Sequence, residues 1–489
     1  MKRLADFADA ELRVFERPLP GPAVRDVYLI GICGTGMGAL AGLLKQAGYV
    51  VRGSDRGEYP PMSTHLAAHG IPVHTGFHVG HLEPAPDLVI VGNACTPTHV
   101  EAAEARVRQI PQLSLPEALA HFFLKNRRRV VVAGTHGKTT TTGLLVHILR
   151  EAGRDPGFFV GGLMQGLDRG YDIGSGSHFV VEGDEYDSAY FDKQPKFMHY
   201  APHMAIVTSM EFDHADIYAS WTDYEEAFVR FAALVPSDGL LLVCSDNVDP
   251  SCLAARAPVV TYGLSDGADV TATCVSSEGG VTRFTFVYKG NDLGSMRLPM
   301  SGRHNLCNAL AAGAAALHEG LSAHELALGL ATFRGMKRRQ EVLGEPGGVL
   351  VVDDFAHHPS AVRATVQAAR EHWPDRRLMA VFEPRSNSSR RKIFEVPYGE
   401  AFKGAACTFL CAPPFRHNDE SQQFIDVHSV VQLITEQGSR AAAFTETDTL
   451  LDVLSQEATP GDLILIMSNG GFDGLHGRLM STLKAKFAV

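Results

Sequence analysis

The chain lacks paired cysteines, long apolar runs and a basic tail. Its eight cysteines are scattered through 489 residues with no CxxC spacing, Cys407 and Cys411 being the nearest neighbours. They read as reduced, mostly buried thiols. No uninterrupted apolar stretch approaches the roughly 20 residues that cross a bilayer, so no membrane partner is expected. The first residues, MKRLADFADAELRVF, have no long apolar core and no small-residue cleavage site. No secretion signal is therefore evident, and the expected compartment is cytoplasmic. Net charge is −11 without a lysine- or arginine-rich tail, which weighs against a nucleic-acid partner. Internal repeats and low-complexity segments are also absent, which excludes a solenoid.

What is present is an ordinary composition, 45% apolar and 20% charged, in a chain too long for one core. One theme occurs three times: an apolar strand, a turn and a helix. It appears in DVYLIGICGTGMGALAGLLKQAGY (26–49), again after the basic patch KNRRR, and in GVLVVDDFAHHPSAVRATVQAAREH (348–372), where Pro359 opens the helix. Alternating strands and helices predict parallel sheets, hence an α/β protein of three domains. The N-terminal and C-terminal domains are expected to be Rossmann-like, and the central one a phosphate-loop type with a mostly parallel sheet. Joins near Lys125–Arg129 and Gly335–Glu345 divide the chain into 1–126, 127–340 and 341–489. One segment breaks the theme. Thr271–Pro299 alternates apolar and polar residues around Gly279-Gly280 and Gly290-Asn291, which predicts one or two antiparallel hairpins within the central domain.

Two glycine turns carry the first chemistry. Gly31-Ile-Cys-Gly34-Thr35-Gly36-Met37-Gly38 follows the first strand, and such glycines let a backbone approach a pyrophosphate at the next helix's amino end. Asp55, after the second strand, stands near where an acidic residue reaches a ribose hydroxyl. The spacing is G-x-x-G-x-G rather than the dinucleotide G-x-G-x-x-G, so a tight turn that merely packs helix on strand is the competing reading. The second turn is Gly134-Thr135-His136-Gly137-Lys138-Thr139-Thr140. It lacks the distal glycine of the common phosphate loop, since Val132 occupies that place. It still sets amides, a lysine and a hydroxyl at the mouth of a helix, where Lys138 can neutralise phosphates and Thr139 can ligate Mg²⁺. A threonine-rich helix start with a surface lysine is the alternative.

Acidic clusters follow two further apolar strands. Phe179–Val181 runs into Glu182, Asp184 and Glu185, and Ala205–Thr208 leads to Glu211, Asp213 and His214. Carboxylates at carboxyl strand ends beside a phosphate loop suit a hard cation. On chemistry alone, His214 could equally be a structural hydrogen-bonder. In the third domain, Arg385 and Arg390 lie in EPRSNSSRR, able to clamp carboxylates or simply to be solvated. The adjacent pair His357-His358 fits helix capping or a nucleotide contact better than a metal pair. One nucleotide loop with Mg²⁺, a second glycine turn and an anion-binding third domain together fit ATP-driven joining. A carboxylate takes the γ-phosphate and an amine displaces it; hydrolysis to drive motion, which needs only the first loop, stays open on the residues alone.

These residues resemble the Mur ligase family, the ATP-dependent amide-forming enzymes of bacterial cell-wall synthesis, over nearly the whole chain. GTHGKTTT resembles the family's short phosphate loop. Glu182 in VEGDE and His214 in EFDHAD match its magnesium ligands, and Thr139 completes that set. Asn305 in GRHN matches an adenine-contacting asparagine, and Arg339 in KRRQEV a γ-phosphate arginine. Asp354 and His357 in DDFAHHP match a nucleotide-contacting motif. The resemblance implies catalytic roles for Lys138, Glu182, His214 and Arg339, with ATP and Mg²⁺ as the nucleotide and metal. It also implies that the N-terminal loop binds a UDP-sugar rather than NAD, with Gly34, Thr35, Gly36, Met37, Asp55 and Asn93 as candidate contacts.

The start GICGTGMG resembles the branch that uses UDP-N-acetylmuramate. One enzyme of that branch adds L-alanine, and another attaches the tripeptide L-alanyl-γ-D-glutamyl-meso-diaminopimelate. DEYDSAYFDKQPKFMHY (184–200) and SNGGFDGLH (468–476) look like the tripeptide enzyme, whose substrates are then the expected partners, with Arg385 and Arg390 on the peptide carboxylates. A monomer or weak homodimer is expected. Gly183 and Ser209-Met210 depart from the family pattern without removing a charged ligand. Phe228 stands where several relatives carry a carbamylated lysine, so no such modification is expected. A dinucleotide-dependent oxidoreductase would leave GTHGKTTT and both acidic clusters unexplained.

Overall fold

The computed structural model describes residues 17–21, 23–58, 62–212, 217–218, 220–413 and 423–487. They form two compact units: the described residues up to Thr261 apart from 164–166, and residues 164–166 together with those from Tyr262 onward.

The first unit holds two sheets. The N-terminal sheet consists of β1 (Asp26–Ile30), β2 (Val50–Asp55), β3 (Val73–Thr75), β4 (Leu88–Val91) and β5 (Gln112–Ser114) in the order β3-β2-β1-β4-β5. All its pairings are parallel. Its central strands are apolar runs covered on both faces, as parallel sheets require. The order reverses between β1 and β4, so the loop after β1 opens at the switch point where ligands of such sheets bind.

The second sheet contains β6 (Arg128–Ala133), β7 (Gly157–Phe159), β8 (Tyr171–Asp172), β9 (His178–Gly183), β12 (Met204–Val207), β13 (Leu240–Cys244) and β14 (Val259–Tyr262). The order of these seven strands is β14-β13-β12-β6-β9-β7-β8, part of a ten-stranded sheet, and β12, β6 and β9 run parallel. Between β9 and β12, a short antiparallel ribbon is made by β10 (Asp187–Ala189) and β11 (Asp192–Pro195). One apolar core serves both sheets. Leu115, Leu119 and Phe123 lie in the same buried cluster as Val131, Phe159, Tyr171 and Phe197. Gly42 of the helix Thr35–Gln46 packs so closely that a Cβ there would lie 2.0 Å from the Tyr171 hydroxyl.

In the second unit, the predicted antiparallel segment is a three-stranded meander, β15 (Val270–Glu278), β16 (Val281–Tyr288) and β17 (Asn291–Leu298). Its turns fall on Gly279-Gly280 and Gly290, all with positive φ, where a side chain would be strained. Beyond it, β18 (Glu341–Gly344), β19 (Leu350–Asp354), β20 (Arg377–Glu383), β21 (Cys407–Cys411), β22 (Arg440–Phe444) and β23 (Asp462–Ser468) take the order β18-β19-β23-β20-β21-β22. The edge strand β18 is antiparallel and the rest are parallel. Gly302, at φ +95°, starts the helix Arg303–His318, and a Cβ there would lie 2.7 Å from Ala368 of the helix Pro359–His372. Among the described residues, no helix is long and apolar enough to cross a membrane.

Candidate active site

The nucleotide-type loop leaves β6 and enters the helix Lys138–Glu151. Gly134 has φ +133°, and a Cβ there would come within 2.2 Å of the Thr208 hydroxyl, so only glycine fits beside β12. Gly137 is the left-handed N-cap at φ +82°. The rest of the loop is fastened to the end of β12. Thr135 N donates to Ser209 O at 3.1 Å and His136 N to Ser209 Oγ at 2.8 Å. The Thr135 hydroxyl accepts from Glu211 N at 2.8 Å and lies 2.8 Å from the Tyr224 hydroxyl. His136 Nε2 lies 3.2 Å from Glu211 Oε2. Thr140 points inward and is buried.

The acidic cluster after β9 meets this loop. Parallel register pairs Val132 with Glu182 and so aligns the two strand ends. Lys138 Nζ donates to Gly134 O at 2.6 Å and to Glu185 Oε2 at 2.8 Å. The Thr139 hydroxyl donates to Glu182 Oε1 at 2.8 Å, while Glu182 Oε2 accepts from Gly161 N at 2.7 Å. Lys196 Nζ donates to Asp184 Oδ2 at 3.1 Å. Three carboxylates thus face two ammonium groups.

The charges respond to this crowding. Burial and then the Asp184 charge push the Glu182 carboxyl above its ordinary range, against the pull of Lys138. Burial also raises Asp184, but Lys196 and Lys138 outweigh it and hold that carboxyl low. Burial alone would lower Lys138, yet Glu185, Asp184 and Glu182 raise it, so the ammonium stays charged. A cluster with one carboxylate in excess, containing a raised carboxyl and a hydroxyl on one edge, fits a hard divalent cation at Thr139 and Glu182. His214 lies outside the described residues.

The glycine loop after β1 is built differently. Gly31 takes φ +80°, and Gly34 caps the helix Thr35–Gln46 without a side-chain bond. Thr35, Gly36 and Met37 form its first turn. Asp55 ends β2 and accepts from Cys33 N at 2.8 Å and Arg56 N at 2.7 Å. Its carboxylate therefore shapes the loop by holding a backbone amide. Asn93, just after β4, donates to Asp187 Oδ1 at 3.0 Å.

The remaining candidates lie in the second unit. Arg338, at φ +58°, donates to Ser468 O at 2.6 Å and Gly470 O at 2.8 Å and pairs with Asp353 at 3.2 Å. The guanidinium of Arg339 lies 4.9 Å from the centre of the Phe355 ring. Asp354 accepts from Gln340 N at 2.8 Å and Ala356 N at 2.7 Å, and burial pushes its carboxyl up despite Arg339. His357 Nδ1 is 3.1 Å from Phe355 O, whereas His358 is the N-cap of the helix Pro359–His372. The adjacent histidines thus divide their tasks, and one of them is the expected cap.

Asn305 Nδ2 donates to Ser301 O at 2.8 Å in the first turn of its helix. Arg385 pairs with Glu383 at 3.3 Å and lies across Gly470, where a Cβ would come within 2.0 Å of its Cδ. Arg390 is buried, 5.8 Å from the centre of the Phe424 ring. Sequence reasoning missed the Lys138–Glu185 pair, the Lys196–Asp184 pair and the Arg338 fastening. Each joins residues 12 to 132 positions apart, and local periodicity carries no signal for them.

A loop that buries a lysine and a threonine against carboxylates, on an α/β chain with a second glycine turn, defines a nucleotide-dependent enzyme. The comparisons place it further. The description "Mur ligase family, catalytic domain" matches residues 26–127, "Mur ligase middle domain" 132–316, and "Mur ligase, glutamate ligase domain" 338–470. The chain is 37% identical over 470 residues, 94% of its length and 98% of the relative's, to the UDP-N-acetylmuramate–L-alanyl-γ-D-glutamyl-meso-2,6-diaminoheptandioate ligase of Escherichia coli (strain K12). It is 36% identical over 456 residues to the UDP-N-acetylmuramate–L-alanine ligase of Chlorobium phaeovibrioides (strain DSM 265 / 1930), covering 91% and 94% of the two chains. The crystal structure of a murein peptide ligase from Psychrobacter arcticus 273-4 matches with a TM-score of 0.72 at 34% identity, covering 94% of this chain and 99% of that one. The chain belongs to the Mur ligase family, and it is an ATP-dependent ligase that forms carbon–nitrogen bonds.

Proposed function

We infer that the enzyme joins the tripeptide L-alanyl-γ-D-glutamyl-meso-diaminopimelate to UDP-N-acetylmuramate, a peptidoglycan-recycling reaction. The observation that carries this reading is the end-to-end likeness to a ligase of that specificity, over 94% of the chain. The likeness to L-alanine ligases is nearly as high, so the choice of amine leans on DEYDSAYFDKQPKFMHY and SNGGFDGLH, which resemble the tripeptide enzyme. The domains of this reading are 1–126 for the UDP-sugar, 127–340 for ATP and 341–489 for closing over nucleotide and peptide.

In the first step, a lactyl carboxylate oxygen attacks the γ-phosphorus of ATP, and ADP leaves. In the second, the peptide amine attacks the acyl carbon, inorganic phosphate leaves and the amine gives up a proton. Lys138 stays charged at the mouth of the helix, where the Gly134–Thr140 loop, its Thr135 and His136 amides fastened to Ser209, would bring the helix's first amides to the phosphates. Mg²⁺, held by Thr139, Glu182 and His214, would offset charge on the transferred phosphoryl group. The family resemblance gives Arg339 a γ-phosphate role and Asn305, Asp354 and His357 contacts with the nucleotide. Thr35, Gly36 and Met37 present amides to the UDP pyrophosphate, with Gly34 turning the chain into the helix, Asp55 holding their loop and Asn93 beside them. Arg385 and Arg390 take the peptide carboxylates. Fixed charges of this kind supply most of the rate enhancement in phosphoryl transfer.

Incubating the protein with UDP-N-acetylmuramate and Mg-ATP, plus either tripeptide or L-alanine, tests this. Phosphate release and a coupled product with tripeptide alone are expected. Turnover with L-alanine alone would reassign the enzyme to the other ligase of its branch.

A further inference from the structure

The chain leaving β9 connects the two glycine loops. Its first residue of note, Glu182, meets Thr139 on the nucleotide loop. Five residues on, Asp187 Oδ1 accepts from Asn93 Nδ2 at 3.0 Å. Asn93 follows β4, directly beside the glycine loop: a Cβ on Gly92 would lie 2.7 Å from Ile30 O. The other oxygen of Asp187 holds Lys193 Nζ at 2.6 Å, with the Asp187 side chain 6% exposed and that of Lys193 23% exposed. Asn93 Oδ1 is buried and has no hydrogen-bond partner among the described residues.

A salt bridge that only closed the β10–β11 ribbon would not require an asparagine from another sheet. It would also leave the buried amide oxygen unexplained, and such an atom costs free energy until a donor reaches it. The arrangement instead offers a cation fixed by a carboxylate, which suits an anionic group, and beside it an acceptor that only an O–H or N–H donor, such as a sugar hydroxyl or acetamido N–H, can satisfy.

We propose that Lys193 binds the lactyl carboxylate of UDP-N-acetylmuramate, with Asp187 and Asn93 as its positioning residues. This assignment rests on the UDP-muramate reading above. That substrate must lay its pyrophosphate on the glycine loop and carry its carboxylate to the nucleotide loop. Lys193, on the return strand β11, is fixed by Asp187, the residue through which the chain from Glu182 reaches Asn93 beside the glycine loop. A lysine that holds the carboxylate loosely, its charge shared with Asp187, keeps the oxygen free to attack.

Calorimetric titration of the full-length protein tests this with two sugars: UDP-N-acetylmuramate, and UDP-N-acetylglucosamine, which lacks the lactyl carboxylate. Lys193→Met should weaken binding of the muramate roughly ten- to hundredfold, the worth of one charge-assisted hydrogen bond. Binding of UDP-N-acetylglucosamine and of ATP should not change, and Lys193→Arg should restore most of the muramate affinity. Equal losses for both sugars would overturn the assignment and place Lys193 on the pyrophosphate. No loss for either, or Lys193→Arg as weak as Lys193→Met, would overturn it and leave a ribbon-closing ion pair. A wild-type protein that binds neither sugar would instead remove the UDP-sugar reading on which the proposal stands.

Discussion

The two glycine loops begin alike, each at the end of a parallel strand and at the start of a helix, yet they are held by opposite means. The loop after β1 is shaped by neutral backbone contacts and one half-exposed carboxylate, Asp55 on the Cys33 amide. The loop after β6 is held by buried charge, with Lys138 on Glu185 and Thr139 on Glu182. The first can accept its ligand with little rearrangement. In the second, Lys138 and Thr139 already have internal carboxylate partners, so on the proposed reading nucleotide binding there exchanges those partners for phosphate oxygens and metal.

The largest effect should come from Lys138→Met. It removes the loop's buried ammonium and takes the Lys138 partner from Glu185, which is 1% exposed. Turnover should fall at least about a thousandfold, since charge stabilisation carries phosphoryl transfer. Stability should fall by about 3–5 kcal/mol, the cost of leaving one member of a buried pair alone. Adding Glu185→Gln should recover stability in denaturant titrations without recovering turnover. If the double variant stays as unstable as the single one, the ion pair is not what holds the loop.

Matched alanine substitutions sharpen the contrast. Gly134→Ala places a methyl 2.2 Å from Thr208 Oγ1 and 2.8 Å from Ser209 N, at a φ that side chains avoid. It should cost about 3 kcal/mol and abolish nucleotide binding. Gly38→Ala meets only the flexible Met62 sulfur within 3 Å, in ordinary helical backbone. Its net effect should stay within about 1 kcal/mol, because alanine favours the helix. Urea midpoints of the two variants make the comparison.

The smallest effect has an unusual sign. Because burial raises the Glu182 carboxyl, its contribution to stability is full below the ordinary carboxylate range and is lost as pH rises through the raised value. At neutral pH, Glu182→Gln should therefore raise the nucleotide-free melting temperature, by roughly 2 °C. Added Mg-ATP should stabilise the wild type and leave the variant unchanged. The Asp184 charge works the other way: its stabilisation is present above the ordinary range and fades in acid, so the two carboxyls separate on a pH titration of melting temperature.

Much of this was legible in the sequence. The strand–turn–helix theme placed the three α/β blocks, and glycine positions marked both loops and both turns of the meander. Strand starts and ends moved by a few residues: β2 runs to Asp55, and the helix after the nucleotide loop begins at Lys138. Partners were not legible. Nothing near Lys138 announces Glu185, and nothing near Asp55 announces Cys33, because sheet register rather than sequence spacing brings them together. The pattern likewise gave three blocks of similar form, whereas packing gathers the chain into two compact units. Which apolar faces share a core depends on shape at the contacts, such as Gly42 against Tyr171.

That shared core has a consequence for how such enzymes can be taken apart. Leu115, Leu119 and Phe123 come before residue 127 and Phe159, Tyr171 and Phe197 after it, yet they bury one another's surroundings in a single cluster. A cut between 126 and 127 would open one interior to water. The segments on the two sides of that cut therefore travel together: a donor protein that lends one to a chimera must lend both.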